Sequence, residues 1–108
     1  MMKSYTDLEQ SKKLAAILQI ESADMCYIAH SELINIHEPF YKKMDKEDIP
    51  CWSLSALLDI LPPGKALIHD KGNLGYKCIC NNIDTNFHNN PVDACVELIV
   101  KLKEQNLL

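Results

Sequence analysis

A chain of 108 residues and 12.3 kDa supports one domain and one core, because a chain of this size buries roughly two thirds of its unfolded surface and cannot supply two. Hydrophobic residues at 47% and charged residues at 24% exclude disordered, collagen-like and disulfide-scaffold classes. Eleven basic against fifteen acidic residues leave a net charge of −4, and every basic residue is lysine; the arginine fork that reads phosphate and guanine is missing, so nucleic acid is not an expected partner.

The first apolar run, residues 14–20, is interrupted by Gln19 and preceded by acids and lysines, which does not fit a signal peptide. No window approaches the roughly eighteen consecutive apolar residues of a membrane helix, so no membrane association is expected. Cys26, Cys51, Cys78, Cys80 and Cys95 form an odd set with no secretion signal, which points to reduced thiols and a cytoplasmic location. Thr6 and Glu9 have the spacing of a capping box, and Leu8, Leu14, Ala15, Ile17 and Leu18 form one apolar side behind it, predicting a helix over 6–18. Between residues 21 and 50 the period is lost. Short strands or an irregular excursion are expected there; a structureless stretch of that length is uncommon in a compact domain, so part of it is expected to pack, a strand at 33–37 being one form this could take.

Ser53 is placed as an N-cap and Pro62-Pro63-Gly64 as a stop, which predicts a short amphipathic helix over 53–61. Residues 65–70 and 74–81 are rich in strand formers and flank the turn-type sequence Lys71-Gly72-Asn73, giving a β-hairpin with Tyr76, Cys78 and Cys80 on one face. A third strand is expected at 85–88, after a turn at Asn81-Asn82. Asn90 then offers a cap, Pro91 sits at the first helical position, and Asp93 meets the positive end of the helix dipole. The helix runs over 91–105 with Val92, Cys95, Val96, Ile99 and Leu102 as its buried stripe, and Asn106-Leu107 has the character of a left-handed cap. The whole reads as one α+β domain, 1–108, with an antiparallel three-stranded sheet over about 65–88 packed against helices.

Three groups could carry chemistry. Cys78 and Cys80 share a predicted strand face and, with His69 or His88, would supply three zinc ligands; yet structural zinc sites place cysteine pairs on knuckle turns, and two thiols on a packed strand face behave as small hydrophobes. Cys51 stands near a helix start, where free N–H groups lower a thiol pKa, but no nucleophile motif surrounds it and no base partner is identifiable. Asp45, Glu47 and Asp48 alternate with lysines in a run that reads as a solvated face, and His30 and His37 are isolated. Phe40, Tyr41, Trp52 and Phe87 lack the basic groove that base stacking needs and read as core or rim aromatics. No phosphate-binding loop, zinc-protease, nucleophile-elbow or calcium-loop pattern occurs. No catalytic, cofactor-binding or metal-ligating residue is therefore assigned, and no cofactor is expected.

The stretches Met44-Asp45-Lys46-Glu47-Asp48-Ile49-Pro50-Cys51-Trp52-Ser53-Leu54 and His88-Asn89-Asn90-Pro91-Val92-Asp93-Ala94-Cys95-Val96-Glu97-Leu98 resemble a group of small uncharacterised proteins of gut bacteria and their prophages. The resemblance implies a setting, that of an accessory protein of phage or mobile elements, and no activity, cofactor or site residue. The order helix, three strands, helix is also similar to a double-stranded-RNA-binding domain, but that module carries lysines where this chain has Asn89-Asn90-Pro91-Val92-Asp93. The strands followed by Asp-Ala and a helix resemble the partner-binding domains of bacterial antitoxins. The expected function is a non-catalytic interaction protein whose partner is another protein or a second copy, with a three-stranded sheet too small to protect both of its edges. The competing classes are an antitoxin-like partner-binding domain and a small cysteine-dependent enzyme or metal protein.

Overall fold

The computed structural model describes residues 3–28, 34–35, 48–70, 72 and 74–108, and among them it shows three helices and two antiparallel sheets in a mixed α+β arrangement. Helix α1, Leu8–Ala15, starts two residues later than the predicted span of 6–18. Its capping box is Asp7 with Gln10: Asp7 Oδ1 accepts from the Gln10 N–H at 2.8 Å and Gln10 Oε1 accepts from the Asp7 N–H at 3.1 Å. Thr6 has another task. Its hydroxyl is buried, sits 2.8 Å from Ser11 Oγ and accepts the Trp52 N–H at 3.1 Å, while the Thr6 N–H donates to the Trp52 carbonyl at 2.9 Å. The helix also ends earlier than expected, as the Ala16 and Ile17 N–H groups reach only three residues back, and Ile17 and Leu18 pack on the core from outside it.

After a single 3-10 turn at Ile20–Ser22, strand β1, Met25–Tyr27, lies between β2, Ile34–Asn35, and β3, Ile49–Cys51. The aperiodic region thus contributes a small sheet of its own. Its alternation explains the aperiodicity: Met25, Tyr27, Ile49 and Cys51 share one face against Leu8 of α1, whereas Cys26, opposite Pro50, turns to the main core. Three-residue strands buried on both faces leave no polar positions from which a period could be read. The strand predicted at 33–37 is represented by β2; His30, His37, Phe40, Tyr41, Asp45 and Glu47 lie outside the described residues.

Helix α2, Leu54–Ile60, begins where predicted. Ser53 Oγ accepts the Ala56 N–H and itself donates to Asp24 Oδ2, and Asp24 Oδ1 accepts the Ser53 N–H at 2.9 Å, so the cap is tied to the turn before β1. The hairpin follows as β4, Ala66–Asp70, and β5, Gly75–Cys80, with Leu67 opposite Cys78 and His69 opposite Tyr76. Asn81 and Asn82 both adopt positive φ, 53° and 65°, the signature of a two-residue hairpin turn, so the third strand begins at once as β6, Ile83–Asp84, rather than at 85–88. Beyond it the ladder is interrupted at Thr85: its N–H still donates to the Cys78 carbonyl at 3.0 Å, but the Cys78 N–H goes to the Thr85 hydroxyl at 3.0 Å, which in turn donates to the Asn86 carbonyl. Pairing resumes only as a bridge between Tyr76 and His88, closed by two backbone bonds of 2.7 Å.

Helix α3, Pro91–Glu104, matches its prediction closely. Asn90 Oδ1 caps the Asp93 N–H at 2.9 Å, and Asn106, at φ 58°, ends the helix in a left-handed turn with the Leu107 N–H returning to the Leu102 carbonyl at 2.8 Å. The predicted stripe is buried, and Ala94 and Leu98 join it, because α3 is covered by β5 on one side and by α2 on another. This interior, filled by Trp52, Leu14, Leu57, Leu98, Ile99 and Leu102 with Cys78, Cys80 and Cys95, is the main core.

Gly75 opens β5 at φ 93°, and a Cβ added there would lie 2.1 Å from the His88 carbonyl oxygen. The bridging strand approaches so closely that only a residue without a side chain fits. Gly75→Ala should therefore lower stability by about 1–3 kcal/mol through backbone strain, and by more if the Tyr76–His88 bridge opens. Urea unfolding is the check, and an unchanged midpoint would contradict this account of the bridge.

Candidate functional site

A cleft of about 530 Å³ lies between α1 and α3. Val96 and Val100 form its floor, and Gln10, Lys13, His88, Asp93, Glu97 and Lys101 supply its polar walls. Capping places the first of these groups. Asp93 lies in the first turn of α3, where Asn90 Nδ2 donates to it at 2.9 Å, Gln10 Nε2 at 2.7 Å and Lys3 Nζ at 2.9 Å. One turn on, Glu97 takes His88 Nε2 at 2.6 Å, the Asn86 N–H at 3.1 Å and Lys101 Nζ at 2.9 Å.

Each carboxylate is held by three donors, and that decides its ionisation. Partial burial works against the charged form, but the bonds from Lys3, Gln10 and Asn90 outweigh it and hold Asp93 below its ordinary 3.8. Glu97 is lowered from 4.5 in the same way, its burial overcome by His88, Lys101 and the Asn86 N–H. Asp7 is lowered as well, burial again opposing and the Gln10 N–H and Lys3 prevailing, while Lys3, whose burial disfavours its charge, is raised above 10.5 by its two carboxylates. Folded carboxylates with depressed pKa values bind fewer protons than unfolded ones, so their contribution is present at neutral pH. It is lost as pH falls below 4.5 and 3.8 and through the lower folded values. Asp93→Asn should therefore flatten the fall of Tm with acidification between about pH 5 and pH 2. A variant whose acid limb parallels the parent's would show that Asp93 contributes nothing to it.

Chemically, this network pins the N-terminal segment and α1 onto α3. Among the described residues that line the cleft there is no serine, threonine or cysteine beside the His88–Glu97 pair. The pair was not visible in the sequence, because His88 sits in an irregular strand before the helix and no periodicity links it to a residue nine places on.

The sequence candidates are placed as follows. Cys51 is fully buried between Thr6 and the first sheet; its Sγ–H donates to the Thr6 carbonyl at 3.4 Å, and burial pushes the thiol above its ordinary value despite help from the Thr6 and Ser11 hydroxyls. The N–H groups at the start of α2 are used elsewhere, that of Leu54 by the Ser4 carbonyl at 3.1 Å and that of Ala56 by Ser53 Oγ. Cys78 and Cys80 are both buried against α3. His69 lies outside on β4 with its ring stacked on Tyr76, centroids 4.1 Å apart, and His88 is held by Glu97. Among the described residues, no group of three or more histidines, cysteines or acids is placed as a metal ion would require. Trp52 is a core residue, and Phe87 lies under Lys77 Nζ at 5.3 Å.

A second feature is a surface. β4 is exposed along nearly its whole length, and in the order β4-β5-β6 its outer edge has no neighbouring strand among the described residues. Leu67 and Ile68, on opposite faces, are 37% and 39% exposed, and Leu74 beside the turn is 57% exposed. Such an edge presents unpaired N–H and C=O groups flanked by apolar side chains. No helix among the described residues is long and apolar enough to cross a membrane. Comparison with family models, with curated proteins and with solved structures finds no match to this chain.

Proposed function

We propose that the chain is a non-catalytic interaction protein that offers the outer edge of β4 to a strand of another protein chain, in the first place a second copy of itself. The observation that carries this reading is the exposure of β4 on both faces. A strand added to that edge would satisfy its backbone groups and cover Leu67 and Ile68 in one step, the mode by which sheet edges recruit partners. Self-pairing gives a symmetric antiparallel contact, and the net charge of −4 opposes it little once salt screens beyond about 8 Å. A cytoplasmic location agrees with five free cysteines, all buried. The setting among phage and mobile-element accessory proteins draws on the sequence resemblance. A protein partner also fits a surface without arginine better than nucleic acid does.

Ile68→Lys tests the reading. A lysine on an edge strand blocks pairing at little cost to the fold, because the position is already more than a third exposed. In sedimentation velocity at tens of micromolar the parent should show concentration-dependent association, and the variant should weaken it by at least about tenfold. Association unchanged in a folded Ile68→Lys protein would move the interface elsewhere.

A further inference from the structure

The backbone bonds of β5 decide which groups of β4 face outward. The Tyr76 N–H and C=O both bond to His88, while the Cys78 C=O accepts from the Thr85 N–H and the Cys78 N–H goes to the Thr85 hydroxyl. These two residues therefore direct their backbone groups toward β6 and the segment that follows it. In an antiparallel ladder the groups of successive residues point to alternate sides, so Gly75, Lys77 and Ile79 turn theirs toward β4. Their register partners there are Asp70, Ile68 and Ala66. What remains is Leu67 and His69, whose N–H and C=O groups lie on the outer edge of β4, where no neighbouring strand stands among the described residues. Their side chains share the face of Cys78 and Tyr76 opposite them, and Ala66, Ile68 and Asp70 occupy the other face.

We infer that β4 pairs antiparallel with β4 of a second copy in one register, Leu67 opposite the second copy's His69, with the two Ile68 residues facing each other on the two-fold axis. This rests on the reading of β4 as a self-pairing edge and adds the register to it. Backbone geometry removes every symmetric register that sets Leu67 opposite Ile68, because outward-pointing groups would then meet inward-pointing ones. Of the others, only the register centred on Ile68 uses all five residues of β4. Centring on Leu67 sets Asp70 opposite Gly64, which lies outside the strand at φ 89°. Centring on His69 sets imidazole against imidazole and the Asp70 carboxylate against Ile68, pairings that sheets disfavour. With Ile68 on the axis, Asp70 faces only the small Ala66, and the two Ile68 side chains meet in a non-hydrogen-bonded pair, where side chains come closest. Leu67 packs beside the other copy's His69, whose ring is already ordered by its stacking on Tyr76 at 4.1 Å. The two three-stranded sheets become one continuous sheet of six strands with both α3 helices on the same face.

The test is disulfide trapping. Leu67→Cys, Ile68→Cys and His69→Cys are compared at tens of micromolar in a glutathione redox buffer, with covalent dimer read by intact mass and on non-reducing gels. All three positions are exposed, so the fold tolerates the changes, and the five native thiols are buried. Residues opposite each other in a non-hydrogen-bonded pair have Cα atoms about 4.5 Å apart, within disulfide reach, whereas diagonal neighbours are about 7–8 Å apart and beyond it. A thiol held against its copy meets it at roughly millimolar effective concentration, so Ile68→Cys should give at least about tenfold more covalent dimer than Leu67→Cys or His69→Cys alone. An equal mixture of Leu67→Cys and His69→Cys should give the mixed dimer in preference to either homodimer. Strongest trapping of Leu67→Cys or His69→Cys with itself overturns the register and leaves self-pairing at β4 standing. Equal yields from all three variants, as random encounter gives, or no yield above the parent's overturn the register together with the reading on which it rests.

Discussion

Replacing Trp52 with alanine is expected to cost about 3–5 kcal/mol, a large share of the stability of a domain this small. The ring is fully buried, its indole N–H donates to Ser22 Oγ at 3.0 Å, and its backbone bonds both ways to Thr6. Truncation therefore leaves a cavity where the N-terminal segment, the 3-10 turn and α2 meet, and leaves Ser22 without its donor. Chemical unfolding gives the measurement. A loss below about 1 kcal/mol would mean the site collapses freely, contrary to the packing described.

Ile99→Ala follows at about 2–5 kcal/mol. Ile99 lies mid-helix on the face of α3 that meets β5, fully buried among Val92, Cys95 and Leu102. Both substitutions fall in the main core but on different elements. If the two act independently their effects add, whereas a double variant milder than the sum would show that Trp52 and Ile99 share one cavity. An unchanged midpoint for Ile99→Ala alone would reverse the assignment of the face of α3.

The parts of the fold that could be read from the sequence are those with local rules. Asn90-Pro91 and Asn106 bracket α3 because capping needs particular side chains at particular offsets, and Ser53 opens α2 for the same reason. Thr6 shows where such rules fail. It satisfies the capping pattern as well as Asp7 does, and what decides between them is tertiary: Thr6 is taken by Trp52 and Ser11, forty-six and five residues away. Asn81-Asn82 was legible as a turn, but the two left-handed residues that pull the third strand forward to Ile83–Asp84 were not. The first sheet escaped because its pairings, Met25 with Cys51 and Tyr27 with Ile34 and Ile49, join short strands with no turn signal between them. The cleft between α1 and α3 was illegible for the same reason, since Lys3, Gln10 and Asp93 meet only once the chain has folded.

The exposed edge has a different origin. The hairpin itself was readable, yet the alternation of β5, with Cys78 and Cys80 inward, suggests a covered partner, and β4 is not covered. Helix α3 lies over β5 and β6 and leaves β4 outside, a consequence of where the 3.6-residue stripe meets the sheet that no single segment encodes.

The central claim, that the β4 edge is completed by another strand, is tested most directly by backbone hydrogen exchange at low and high protein concentration. Residues 66–70 should exchange fast when the protein is dilute and gain protection as concentration rises, while α3, already protected, changes little. Exchange at β4 that stays fast at every concentration would contradict self-pairing at this edge, and slow exchange at every concentration would show that the edge is not open in the isolated chain.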